Sequence, residues 1–121
     1  MKSYRDLEIY QLSYQLAVRV HSVSLKLPKY ELYEQGSQIR RSSKSIKDNI
    51  IEGYGRRRYK NDFIKFLVYA QSSCDETIGH IEMINDIHFK ENPITDLFDE
   101  YNILGKKLNK FIQYVEDHWN E

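Results

Sequence analysis

Glycine and proline are scarce, five and two in 121 residues. A turn-rich all-β fold needs more of both and is excluded. A single cysteine, Cys74, leaves no internal disulfide framework and no cysteine-based zinc site. A lone thiol suits a reducing compartment. No run approaches the ~18 consecutive apolar residues of a membrane span. The opening residues, Met1 to Tyr10, hold no apolar stretch of the kind that directs secretion. Net charge is absent as well: Lys+Arg and Asp+Glu are 18 each, so global charge argues for neither a nucleic acid nor a membrane surface. Apolar residues make up 40% of the chain, enough for one core in a chain of one-domain length. The expectation is one cytoplasmic, all-α domain over residues 1–121. Composition says nothing more about function.

The zero balance hides a sorting. Residues 37–60 carry Arg40, Arg41, Lys44, Lys47, Arg56, Arg57, Arg58 and Lys60 against Asp48 and Glu52, a net +6. Residues 75–100 carry eight carboxylates against Lys90, a net −7. Two uses follow. The basic stretch meets a polyanion, or it meets the acidic stretch of a neighbouring copy.

Apolar residues recur with helical period through most of the chain. A first helix is expected over about Arg5 to Leu27. One stripe follows Ile9, Leu12, Leu16, Val20, Val23 and Leu27, and a second follows Leu7, Tyr10, Tyr14, Ala17 and Val18. Together they cover more than half the circumference, wider than a small monomeric bundle needs. A deeply buried helix and a subunit interface both fit, and the interface is the preferred reading. Pro28 ends the helix. Residues 28–36 connect, with a helical turn around Glu31 to Gln35. Ser37 is a plausible cap for a second helix over about Ser37 to Tyr54. There Ser42, Ser45, Asn49 and Gly53 form a ridge of small residues that lets another helix approach. The Gly53-Tyr54-Gly55 stretch is read as a helix break, glycine tolerating φ > 0. A third helix begins near Tyr59 to Asn61 and ends about Ile87, with Phe63, Leu67, Ala70, Cys74, Ile78, Ile81 and Ile84 inward. Pro93 fits the first turn of a fourth, Ile94 to about His118. Its core stripe follows Ile94, Leu97, Phe98, Tyr101, Leu104, Leu108, Phe111, Ile112, Val115 and Trp119. Long helices with short connections give an up-down antiparallel four-helix bundle.

Catalytic patterns are weak. The glycines of Gly53-Tyr54-Gly55-Arg56 lack the spacing of a phosphate loop and no strand precedes them. Glu76 and His80 share a helix face and His88 lies near its end, but no second ligand pair is evident, so a surface pair is the expectation rather than a metal site. Ser42, Ser43, Ser45, Ser72 and Ser73 have no histidine close in sequence. Cys74 sits on an apolar stripe and reads as inert core. Asn49 and Glu52, flanked by Arg41 and Arg56, read as a structural polar network, with a general-acid role for Glu52 as the lesser alternative. No catalytic residue, metal or cofactor is expected, and the chain is not read as an enzyme. The basic cluster is the best candidate site. Arginine and lysine supply charge-assisted donors to phosphate, and Tyr54 and Tyr59 interleave with Arg56 to Arg58 as rings on which unpaired bases stack. A solvated helix face with a basic loop is the competing reading for an isolated domain.

Residues 37–53 read Ser-Gln-Ile-Arg-Arg-Ser-Ser-Lys-Ser-Ile-Lys-Asp-Asn-Ile-Ile-Glu-Gly, followed after the arginines by Asp62-Phe63-Ile64-Lys65-Phe66-Leu67. With the start Tyr4-Arg5-Asp6-Leu7-Glu8-Ile9-Tyr10, the turn from Pro28 to Glu31, and Ser73 with Glu76, this resembles a bacterial four-helix-bundle family. The family was first noticed as proteins encoded in intervening sequences of 23S ribosomal RNA genes. The likeness covers residues 4 to about 87. Ser42-Ser43 stand where the family often has alanines, and Arg58-Tyr59 where it usually has a small hydroxyl residue. The resemblance implies a four-helix bundle assembling as a ring of five. It also implies kinship with the accessory variability protein of diversity-generating retroelements, a basic barrel that binds nucleic acid and the reverse transcriptase. For most of the family no molecular activity is established. The expected function is a ring-forming, non-enzymatic bundle that binds RNA or DNA weakly through Arg40, Arg41, Lys44, Lys47, Arg56, Arg57, Arg58 and Lys60. The alternative is a protein-interaction scaffold whose basic residues make subunit contacts. The expected partners are therefore further copies of the chain, RNA or DNA, or another protein, and no membrane.

Overall fold

A computed structural model describes residues 3–120. Four helices form it: α1 over Glu8–Ser24, α2 over Gln35–Gly55, α3 over Lys60–His88 and α4 over Thr95–His118. They pack antiparallel as a bundle, each on its sequence neighbours, with α4 closing back on α1. Cross-helix bonds fix the directions. Ser42 meets Thr77 and Ser45 meets Ser73, so α2 and α3 run opposite ways, and Arg19 meets Asp96 across α1 and α4. Among the described residues no helix is long and apolar enough to cross a membrane.

The stripes read from the sequence are the core. Leu97, Tyr101, Leu104, Leu108, Ile112 and Val115 of α4 are buried, and they meet Phe63, Leu67, Ala70, Cys74, Ile81 and Ile84 of α3. Thr77, rather than Ile78, completes the buried face of α3. On α1 the first stripe is inside, with Ile9, Leu16 and Val20 buried. The second is split: Leu7 and Ala17 are buried, whereas Tyr14 is 49% and Val18 55% exposed.

Four boundaries differ from the expectation. The first helix begins at Glu8, because residues Tyr4–Asp6 form a separate 3-10 turn capped by Ser3. Ser37 lies inside α2 and caps nothing; the helix starts two residues earlier, at Gln35. Pro93 stands outside α4, which starts at Thr95 after Ile94. Gly53 and Gly55 do not break α2: the helix runs through them to Gly55, and no glycine has a positive φ.

Gly53 serves close approach instead. A Cβ there would lie 3.1 Å from Phe66 Cβ and 3.3 Å from the Phe63 carbonyl. Around it, hydroxyls fill the α2–α3 seam. Ser42 Oγ is 2.8 Å from Thr77 Oγ1, Ser45 Oγ is 3.0 Å from Ser73 Oγ, and Thr77 donates to the Ser73 carbonyl. Small side chains bring the backbones together, and each hydroxyl has a partner, so burying them carries little penalty. The ridge expected at Ser42, Ser45, Asn49 and Gly53 therefore faces α3. Gly53→Ala should cost about 1–3 kcal/mol through overpacking. Gly79→Ala, where a Cβ meets nothing within 4 Å, should gain about 0.5–1 kcal/mol from helix propensity. Urea unfolding of the two variants checks the opposite signs.

Candidate nucleic-acid interface

The chain between α2 and α3 is a tight turn. Arg56 N–H donates to the Gly53 carbonyl, Arg57 N–H to Tyr54, and Tyr59 N–H to Arg56 at 2.9 Å. Aromatic rings lie under it. Phe63, fully buried, has Trp119 at 5.1 Å, Phe111 at 6.0 Å and Tyr54 at 6.4 Å between ring centroids, all near edge-on. Trp119 Nε1 donates to the Arg57 carbonyl at 2.8 Å, which ties the end of α4 to the turn. Edge-to-face contacts of this kind add to area burial, so the turn rests on a packed floor.

Three successive arginines each lie by a ring. The Arg56 guanidinium carbon is 5.0 Å from the Phe66 centroid, that of Arg57 4.0 Å from Tyr54, and that of Arg58 5.9 Å from Tyr59. Their charges have different fates. Arg56 pairs with Glu52 at 3.2 Å and Asp62 at 3.7 Å. Arg57 donates to the Tyr54 carbonyl at 2.9 Å. Arg57, Arg58 and Lys60 have no carboxylate partner among the described residues.

The other four cations lie along α2. Arg40 turns inward: it donates to Ser24 Oγ at 3.0 Å and to the Leu32 carbonyl at 2.6 Å, pinning the α1–α2 connection. Lys47 pairs with Asp48 at 2.7 Å. Arg41 and Lys44 are exposed and unpaired among the described residues. At 1.5 Å per residue they lie ~20 Å or more from Arg57 along α2. The +6 segment is thus two separate groups, Arg41 with Lys44 and Arg57 with Arg58 and Lys60, not one patch.

Asn49 and Glu52 are not joined in one network. Asn49 donates to the Ser45 carbonyl and hydroxyl, at 2.9 and 3.0 Å, inside the α2–α3 seam. Glu52 is half-exposed and bound to Arg56, because its arc faces solvent rather than α3. His80 Nε2 lies 3.6 Å from Glu76, but His80 is largely buried and its Nδ1 faces Gln35 Nε2 at 2.7 Å. Among the described residues no third His, Cys, Asp or Glu joins them. His88 instead meets Glu31 at 2.6 Å in a nearly buried pair, which fastens the α1–α2 connection to the end of α3. Sequence reasoning missed that pair, since 57 residues separate its members.

Cys74 is buried, its Sγ 3.4 Å from the Tyr101 carbonyl. Burial, with Asp75 adding, pushes its thiol up to about 12. Tyr101 is held above the usual phenol range by burial first and by Cys74 second. Arg19 and the nearby Ser43 hydroxyl draw it part of the way back, although the two hydroxyls do not reach hydrogen-bonding geometry.

The molecule is an antiparallel bundle with a cationic turn packed on aromatic rings at one end. The chain belongs to the 23S rRNA-intervening sequence protein family, whose model matches residues 5–110. Its fold is similar to the crystal structure of a protein of unknown function from the S23 ribosomal protein family of Bacteroides thetaiotaomicron VPI-5482. The TM-score is 0.75 at 23% identity, covering 87% of this chain and 95% of that one. No curated protein matches the chain.

Arg40→Met removes two side-chain bonds and should lower stability by about 1–3 kcal/mol; an unchanged urea midpoint would show that the guanidinium holds nothing. The folded thiol keeps its proton more tightly than the unfolded one. Stability should therefore fall as pH rises from the ordinary thiol value of 9.0 towards 12, with a shallower fall in Cys74→Ala. At pH 8 a thiol reagent should label Cys74 only after denaturant is added.

Proposed function

We propose that this chain is a non-enzymatic, ring-forming bundle that binds RNA or DNA weakly through the α2–α3 turn. The observation that carries the reading is the turn itself: Arg57, Arg58 and Lys60 stand together on a packed floor without carboxylate partners among the described residues. Arginine presents a fork of donors to phosphate and is always charged. Glu116 and Asp117 end α4 at the same end of the bundle, so the field of the turn is local and few phosphates are engaged per copy. Assembly would gather several turns and raise the avidity. The exposed part of the second α1 stripe, Tyr14 and Val18, supports such assembly. The ribosomal names of the family and of the crystallised relative are in keeping with an RNA ligand.

The scaffold reading is favoured for one pair of cations. Lys44 and Lys47 rim a groove between α1 and α2 with Tyr14, Ala17, Val18, His21 and Ser22. A neighbouring copy's apolar, acidic face would suit that groove. Lys44 and Lys47 would then serve a different contact from Arg57, Arg58 and Lys60.

Fluorescence anisotropy with a labelled 20-nucleotide RNA tests the reading. Affinity of roughly 10⁻⁴–10⁻⁶ M per site is expected, weakening about 10- to 50-fold from 50 to 200 mM salt for three phosphates. Arg57→Glu, Arg58→Glu and Lys60→Glu together should abolish binding and leave the light-scattering mass unchanged. Lys44→Glu with Lys47→Glu should reduce that mass. No binding at 50 mM salt, or binding indifferent to salt, would reject the nucleic-acid reading.

A further inference from the structure

We infer that the α2–α3 turn recognises unpaired bases, so that its nucleic acid is single-stranded; the inference rests on the reading above. The first observation is Arg57. Its guanidinium lies 4.0 Å from the centroid of Tyr54, a ring only 6% exposed, and it is bonded to the Tyr54 carbonyl while Trp119 holds its own carbonyl. Tyr54 thus backs the guanidinium of Arg57, itself an exposed residue. A base has a π-face of matching shape and can complete a ring–guanidinium–base stack.

The second observation is Tyr59. It is 58% exposed, and among the described residues its ring meets the Arg58 guanidinium and no other ring or cation. A tyrosine left outside while Phe63, Phe111 and Trp119 pack inside contributes little to the core. Set between Arg58 and Lys60, it offers a second base platform flanked by phosphate donors.

Duplexes do not use such platforms. Their base faces are covered by neighbouring pairs, and only edges and phosphates are presented. The tip of this bundle is a short turn between two packed helices, with no free helix or ribbon to lay in a groove. Charge alone would bind duplex and single strand alike, whereas stacking separates them.

Labelled oligouridylate of 20 nucleotides and a 20-base-pair RNA duplex, titrated at 50 mM salt, provide the test. The single strand should bind at least about 10-fold more tightly. Tyr59→Ala should weaken it about 5- to 150-fold, the range for loss of one base stack, and Tyr59→Phe should retain it. Arg57→Lys with Arg58→Lys keeps the charge and removes the planes. It should weaken the single strand and leave the duplex unchanged, with helix content checked by circular dichroism. Equal affinity for both ligands, or a lysine variant that binds the single strand as well as the parent, overturns this inference while the nucleic-acid reading stands. Failure of the parent to bind either ligand overturns both.

Discussion

Small residues on α2 let its backbone and that of α3 come close together. Gly53 lets Phe63 and Phe66 come within contact of the α2 backbone, and serines and a threonine fill the rest of the seam with paired hydroxyls. That spacing leaves no slack in the chain that joins the two helices, so residues 56–59 turn sharply. It also seats Phe63 beneath Tyr54, where Trp119 and Phe111 reach it from α4. The floor of the arginine turn is thus made by the same packing that fixes the bundle. A residue larger than glycine at position 53 would press on the core and on the turn together.

The partition of charge follows from which arcs of α2 are claimed by neighbours. Arg40 lies on the arc towards α1 and spends its donors on Ser24 and the Leu32 carbonyl. Glu52 lies outward and meets Arg56 in an exposed pair, which adds little to stability. Its consequence is electrostatic: Glu52 and Asp62 between them offset Arg56, and the field of the turn comes from Arg57, Arg58 and Lys60. Density of cations along a sequence therefore overstates the surface that a polyanion meets.

The helix count and the inward stripes were legible because burial imposes a 3.6-residue period, clearest on α4, which has the cleanest two-faced pattern. The small-residue ridge of α2 was legible as a close-packing face, though its partner was not. In the sequence Gly53 and Gly55 read as a break because glycine's freedom is local, whereas the use of Gly53 depends on Phe63 and Phe66 of another helix. The inward turn of Arg40 depends on groups eight and sixteen residues away, and the Glu31–His88 pair on residues 57 apart. No periodicity reports contacts of that kind. At the candidate site, the arginine triplet and its tyrosines were visible as a string. Which cations are offset, and which lie backed by a ring, came from the bundle.

Helix α1 leaves part of its second apolar stripe uncovered by its own bundle. It packs more closely on α2 than on α4. Its seam with α4 is bridged by Arg19–Asp96 and Glu8–Lys107, both exposed. Exposed pairs hold helices together weakly, and Tyr14 and Val18 remain open beside the α1–α2 groove. A second copy laid along that side would run parallel to the bundle axis, whereas the arginine turn stands at the axis end. Lateral association of this kind, as proposed, would leave the turn uncovered and set the turns of successive copies side by side. The two proposed uses of positive charge, one between copies and one towards a polyanion, would then occupy different surfaces and reinforce each other. Under the proposed assembly the affinity of each turn could stay low, because several turns together would supply the hold.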